Sequence, residues 1–336
     1  MKKRLLAALM ASAMAATMLL TGCGGGSSSG GDSADGGSSS SGDTIKVAFV
    51  NQTDADDCCF AATQNFKSYV ESDEFKEKVG GKNVEVYTAD SNLDIAKQTD
   101  NVENLITKGV EAMFIIGVDT AGNTTAVNAC NSADIPVFMV GTEADGGDWK
   151  FIGFKEYDIG YQQGEYLGKT APQGAKVCYL TGTAGREASV DQEQGFRDAL
   201  EKSGRTDIEL LSVQPGEWTA EKAMRVTEDW IQVYGDQMNY IVSMDGKMAS
   251  GAAEALKGAG MADKVSIIGV YSMGTWNSDL IKDGYMEFAV FKDWPSIGNL
   301  CGDVLAKVLN GEEVDDQTYY DMKDITKDTY SDFFGA

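Results

Sequence analysis

The 336-residue chain has no histidine and only four prolines, and after its first twenty residues no apolar run could span a bilayer. Without histidine there is no Ser-His-Asp or Cys-His catalytic group and no His-ligated zinc site. Outside a Gly/Ser-rich stretch the chain also lacks a Walker A phosphate loop and a G-x-S-x-G nucleophile elbow. No G-x-G-x-x-G turn opens a helix after a strand. Basic residues are scarce: 28 Lys and Arg stand against 52 Asp and Glu, a formal charge of −24. So acidic a surface repels phosphates and anionic lipid, which excludes nucleic acid as a partner. At this acid content chance carboxylate pairs are unavoidable and carry no argument for a glycosidase. These absences describe a non-enzymatic protein without cofactor or metal.

What is present begins with a secretion signal. Lys2, Lys3 and Arg4 precede the apolar run Leu5–Leu20, which is too short and too rich in small residues for a good span. Leu20-Thr21-Gly22-Cys23 closes it and resembles the lipobox of bacterial lipoproteins. That resemblance implies a signal peptide over 1–22, removed on export, and a lipid on Cys23 that anchors the chain to a membrane. Residues 24–43 are almost entirely Gly, Ser and Asp and cannot build a core, so they read as a tether. A flexible segment of that length reaches roughly 25 Å. Five further cysteines remain: Cys58, Cys59, Cys130, Cys178 and Cys301. Their odd number and the adjacency of two of them argue against a disulfide framework.

The remaining body, about 290 residues, is long enough for two domains. Apolar strands at Thr44–Val50, Val84–Thr88, Ala112–Ile116, Pro136–Val140 and Phe151–Phe154 alternate with helices at Ala61–Phe75, Ile95–Thr107 and Thr124–Ala133. The rhythm then restarts. Strands at Lys176–Thr181, Ile208–Gln214, Tyr240–Met244, Val265–Val270 and Met286–Phe291 are expected. They alternate with helices at Tyr157–Thr170, Asp191–Ser203, Thr219–Tyr234, Gly246–Gly258, Trp276–Asp283 and Trp294–Leu309. Short apolar strands between helices predict parallel sheets covered on both faces. Two such series predict an α/β protein of two doubly wound lobes, with ligand bound outside the carboxyl ends of the strands.

Several segments carry a more specific resemblance. Asp90-Ser91-Asn92 precedes a helix ending at Gly109, and Ile135-Pro136-Val137 leads into the fourth strand. Phe151-Ile152-Gly153 runs on to Gly160, Gln163 and Gly164, and Thr181-Gly182-Thr183 runs on to Gly195-Phe196. Met248, Ala249, Gly251 and Ala255-Leu256 follow, then Ile268-Gly269-Val270. In this order and spacing, from Thr44 to about Asp316, the chain resembles the type I periplasmic binding proteins, in particular their ribose- and galactose/glucose-binding group. The resemblance implies an N-terminal lobe of 44–154 plus 292–316 and a C-terminal lobe of 155–291 plus 317–336. Three hinge crossings join them, near 154, 291 and 317. It also implies a monomeric extracytoplasmic protein that closes on a sugar and delivers it to the membrane permease of an ABC-type importer. The same fold serves non-sugar ligands such as a furanone signal or a nucleoside, and chemosensory or kinase partners, and those readings stay open.

The same resemblance implies site residues. Asp57 follows the first strand, where the galactose/glucose group has an aspartate. Cys58 and Cys59 stand where relatives carry stacking aromatics, and Phe60, one residue late, is placed to substitute. Asp119, Arg186 and Asp245 match polar sugar contacts, and Trp218 matches a stacking aromatic of the second lobe. Gln192 replaces a sugar-clamping arginine, Tyr271 an aspartate, and Lys292 an Asn or Gln at the hinge. Glu143 follows the fourth strand and is placed to reach the cleft. Asp57 and Asp119 have a competing role as helix caps. No alternating run of oxygen ligands follows Gly204, so no calcium loop is expected. The departures point to a monosaccharide or polyol other than unmodified glucose, galactose or ribose.

Overall fold

The computed structural model describes residues 44–335 apart from Gly274. The signal, Cys23 and the 24–43 stretch lie outside the described residues. The first sheet takes β1 (Ile45–Asn51), β2 (Val84–Asp90), β3 (Ala112–Ile115), β4 (Val137–Val140), β5 (Lys150–Gly153) and, from the far end of the chain, β11 (Gln317–Tyr319). Their order is β2-β1-β3-β4-β5-β11, all parallel. The second sheet takes β6 (Lys176–Thr181), β7 (Glu209–Pro215), β8 (Tyr240–Ser243), β9 (Ser266–Tyr271), β10 (Met286–Phe291) and β12 (Lys323–Thr326). Its order is β7-β6-β8-β9-β10-β12, and only β12 runs antiparallel. Strands β3, β4 and β8 are buried at every residue. Helices cover both faces, which is why these strands are continuously apolar rather than alternating.

The first lobe carries α1 (Asp57–Val70), α2 (Asp73–Lys78), α3 (Ile95–Thr107), α4 (Thr120–Ser132) and α10 (Trp294–Leu309). The second carries α5 (Glu156–Thr170), α6 (Glu187–Lys202), α7 (Ala220–Tyr234), α8 (Gly246–Gly258), α9 (Thr275–Lys282) and α11 (Tyr330–Phe334). The helix expected at Ala61–Phe75 is two helices. Ser72 interrupts it: its Oγ donates to Tyr69 O at 2.6 Å and accepts from Phe75 N at 3.2 Å, capping a new start. Stacked Phe49, Phe114 and Phe138, with Phe66 tilted on them, fill one side of the first sheet.

The chain passes between the sheets three times: after β5, after β10 and after β11. Because β11 pairs with β5, the third crossing falls between Tyr319 and Lys323, not at 317. A three-residue edge strand is too short to show a period in sequence. One aromatic chain links all three crossings: Phe154 touches Trp294 (5.4 Å between centroids) and Tyr320 (5.8 Å), and Tyr320 touches Phe291 (6.5 Å). No described helix is long and apolar enough to cross a membrane.

Candidate functional site

Parallel strands deliver loop ends and helix starts to one edge of each sheet, and the two edges face each other. Between them lie an inner chamber of about 110 Å³ and an outer cavity of about 540 Å³ that shares several of its walls. An apolar cavity of ~150 Å³ holds one six-membered ring, so the chamber together with the cavity whose walls it shares has room for a single sugar ring.

From the first lobe, Gln52, Asp56, Cys58, Cys59, Ile116 and Thr142 line the chamber. Asp56 caps α1, accepting from Cys58 N and Cys59 N at 3.0 Å each. Burial works against its charge, but the Cys59 N–H and Lys247 hold its pKa below the ordinary carboxylate value. Asp57, one residue on, is mostly exposed and 3.9 Å from Lys247 Nζ, outside the lining. The helix begins at Asp57, four residues before the expected Ala61, so the capping role falls to Asp56. Phe60 points to solvent and stands in for nothing in the chamber. Cys59 Sγ accepts from Gln52 Nε2 at 3.3 Å, and burial pushes both thiols well up, so they are protonated and inert.

From the second lobe come Arg186, Trp218, Asp245 and Lys247. Trp218 and Glu217 both sit in the left-handed region, at φ +61° and +53°. A bulky residue held there stores strain, and such strain concentrates at ligand sites. Gly182 makes room for the indole: a Cβ there would lie 1.9 Å from the ring. The Trp218 Nε1 is shielded from water and has no acceptor among the described residues. Asp245 caps α8, accepting from Lys247 N (2.8 Å) and Met248 N (3.2 Å), and Ser272 Oγ donates to it at 3.1 Å. Burial pushes its pKa up, and those backbone donors oppose the rise. Lys247 Nζ reaches across the cleft to Asp56 at 3.2 Å. The Arg186 guanidinium, half-buried between both cavities, makes no hydrogen bond or ion pair among the described residues.

The hinge closes the inner end. Lys292 Nζ pairs with Glu156 Oε1 (2.7 Å) and Oε2 (3.0 Å) and lies over the rings of Phe154 and Trp294. Gln192 is fully buried outside the lining and donates to Glu156 Oε2 at 2.6 Å, so it clamps a protein carboxylate. Tyr271 is also outside the lining. Its ring stacks on Phe291 (5.2 Å, 1°) and meets Phe334, turning into the aromatic packing of the C-terminal helix. Asp119 caps α4 through Gly122 N at 2.7 Å and, with Glu143, lines the outer cavity. Of the expected residues the chamber thus gathers Cys58, Cys59, Arg186, Trp218, Asp245 and Lys292. Gln52, Asp56, Glu156, Lys247 and Trp294 were missed; only Asp56 had a readable signal, as the acid immediately before a helix.

Residues 46–313 match the family model described as the periplasmic binding protein domain. The chain belongs to that family. It is a binding protein and not an enzyme. Among curated relatives of this periplasmic binding protein is the ribose import binding protein of Salmonella typhimurium, 30% identical over 240 residues, covering 71% of this chain and 79% of the relative. The xylitol-binding protein of Mycolicibacterium smegmatis is 26% identical, covering 73% and 70%. Among solved structures, the binding protein of Actinobacillus succinogenes with bound D-allose aligns with a TM-score of 0.76 at 20% identity, covering 86% of this chain and 100% of that one. The solute-binding protein of Bacillus halodurans with bound myo-inositol gives 0.73 at 23%, covering 86% and 97%. Both likenesses show the type I fold of two mainly parallel sheets.

Proposed function

We propose that this protein captures a single monosaccharide or polyol between its lobes and presents it to the permease of an ABC-type importer. The carrying observation is the Trp218 indole: strained, seated on Gly182, and offering a buried donor with no protein acceptor. An orphaned buried donor costs about 1–3 kcal/mol unless something accepts from it. A ring oxygen or hydroxyl supplies that acceptor while the ring face stacks. Asp245 and Arg186 on the same lobe, and Gln52 and Asp56 opposite, supply the paired acceptors and donors that hydroxyls need. The curated relatives named for ribose and xylitol support the same ligand class. Closure follows from contacts that both lobes make to one ligand. In this reading the protein works as a monomer, held at the outer face of the membrane by a lipid on Cys23.

A thermal-shift screen of the full chain against sugars, polyols and nucleosides tests the ligand class. At a hundred times its dissociation constant a ligand adds about 2.7 kcal/mol of stability. A sugar or polyol hit is expected; hits among nucleosides alone would move the function. Replacing Cys23 with Ser and fractionating the cells tests the anchor, with release from the membrane expected.

A further inference from the structure

Six charged groups line the inner chamber, three cations and three carboxylates. Lys247 is matched by Asp56, and Lys292 by Glu156. Arg186 and Asp245 make up the remaining cation and carboxylate, Asp245 accepting from two backbone donors. Glu156 is held by two partners. Its carboxylate receives Lys292 on both oxygens and Gln192 on one, and its side chain is only 14% exposed. Gln192 is fixed in turn: α6 packs so closely on α5 that a Cβ at Gly160 would lie 1.8 Å from the Gln192 carbonyl. Among the described residues Lys292 has no other ion pair.

We propose that Glu156 is the specificity-determining residue for ligand charge: by neutralising Lys292 it makes the cleft select uncharged sugars or polyols over their acidic counterparts. This rests on the sugar-binding reading above. An acidic ligand adds a carboxylate to a site whose hinge cation is already committed, and a like charge in a desolvated pocket is a repulsive device of specificity. The carboxylate cannot swing away to make room, because Gln192 and Lys292 hold both its oxygens. Without Glu156, Lys292 is left buried and uncompensated, and the ligand's own carboxylate becomes its best partner.

Calorimetry on the full-length wild type, Glu156→Gln and the Glu156→Gln/Lys292→Gln double variant tests this. The probes are matched pairs: the neutral sugar or polyol that the thermal-shift screen returns and its uronate or aldonate, with allose and allonate and xylitol and xylonate beside them. The wild type is expected to prefer the neutral member. Glu156→Gln should shift the neutral-to-acid affinity ratio toward the acid by about tenfold or more, and the double variant should restore it. A wild type that prefers the acid, or an unchanged ratio in Glu156→Gln, overturns the proposal. If Glu156→Gln does not fold, Lys292→Gln reads the same balance from the other side. It leaves Glu156 unmatched and should move the ratio further from the acid, and no movement overturns the proposal. A wild type that takes up nucleosides and no neutral sugar or polyol in the thermal-shift screen overturns the sugar reading itself, a result distinct from any change in ratio.

Discussion

Trp218 concentrates the site's chemistry in one side chain: a stacking face, a buried donor and a strained backbone. Its removal takes away ring contact that no neighbour replaces. Trp218→Ala should weaken binding by about 2 kcal/mol, roughly thirtyfold in Kd, with its far-UV circular dichroism unchanged. Calorimetry checks this, and an unaltered Kd would place the ring outside the contact. The two adjacent aspartates separate just as clearly. Asp56 caps α1 and pairs with Lys247 across the cleft, whereas Asp57 is exposed. Asp56→Ala should cost about 1 kcal/mol of stability from the lost cap and weaken binding as well. Asp57→Ala should change neither measurably. A binding loss in Asp57→Ala equal to that in Asp56→Ala would return the ligand role to the sequence-aligned residue.

Among the elements, α8 shows how packing and propensity part company within one helix. At Gly251 a Cβ would lie 2.0 Å from the Ala220 carbonyl, so α7 and α8 approach only because that position has no side chain. At Gly258, the exposed last residue of the same helix, nothing lies within 4 Å. Gly251→Ala should destabilise by about 1–3 kcal/mol as the helices are forced apart. Gly258→Ala should instead stabilise by a fraction of a kcal/mol, up to ~1, by restricting the unfolded chain. Urea unfolding midpoints read both. Equal effects at the two positions would show that the α7–α8 contact is soft.

For the whole molecule, the proposed binding cycle joins on closure charges that opening separates. Glu143 from the first lobe and Glu187 from the second meet in the outer cavity. Partial desolvation in the cavity, with Glu143 beside it, raises the pKa of the still exposed Glu187 from 4.5 to about 7. The closed form therefore holds a proton that the open form releases between those values. Closure is unopposed below the ordinary carboxylate pKa and is progressively opposed as pH rises through about 7. Asp191 and Asp245, also raised, push the same way, while Asp56, lowered, titrates below the window. Ligand should bind more tightly at about pH 5.5 than at about pH 7.5, and Glu187→Gln should remove most of the difference. Titration calorimetry at both pH values decides it; tighter binding at the higher pH would mean the acids do not meet on closure.

The sequence by itself determined the class of fold and the order of its elements from β1 to α10, apart from the break that starts α2. Those properties rest on short-range features: apolar runs of four to seven residues, capping residues such as Asp245 and Asp119, and glycines where backbones touch. Tertiary structure alone decided which charges meet. The Lys247–Asp56 and Lys292–Glu156 pairs join residues 191 and 136 positions apart. Ion pairs form only over a few ångströms, and no local pattern encodes a distance set by how two lobes pack. The same holds for Tyr271 and Gln192. Each stands where the family resemblance implies a sugar contact, but one turned its ring onto the C-terminal helix and the other spent its amide on Glu156. A side chain of changed chemistry takes the best partner within reach, and reach is a property of the folded chain.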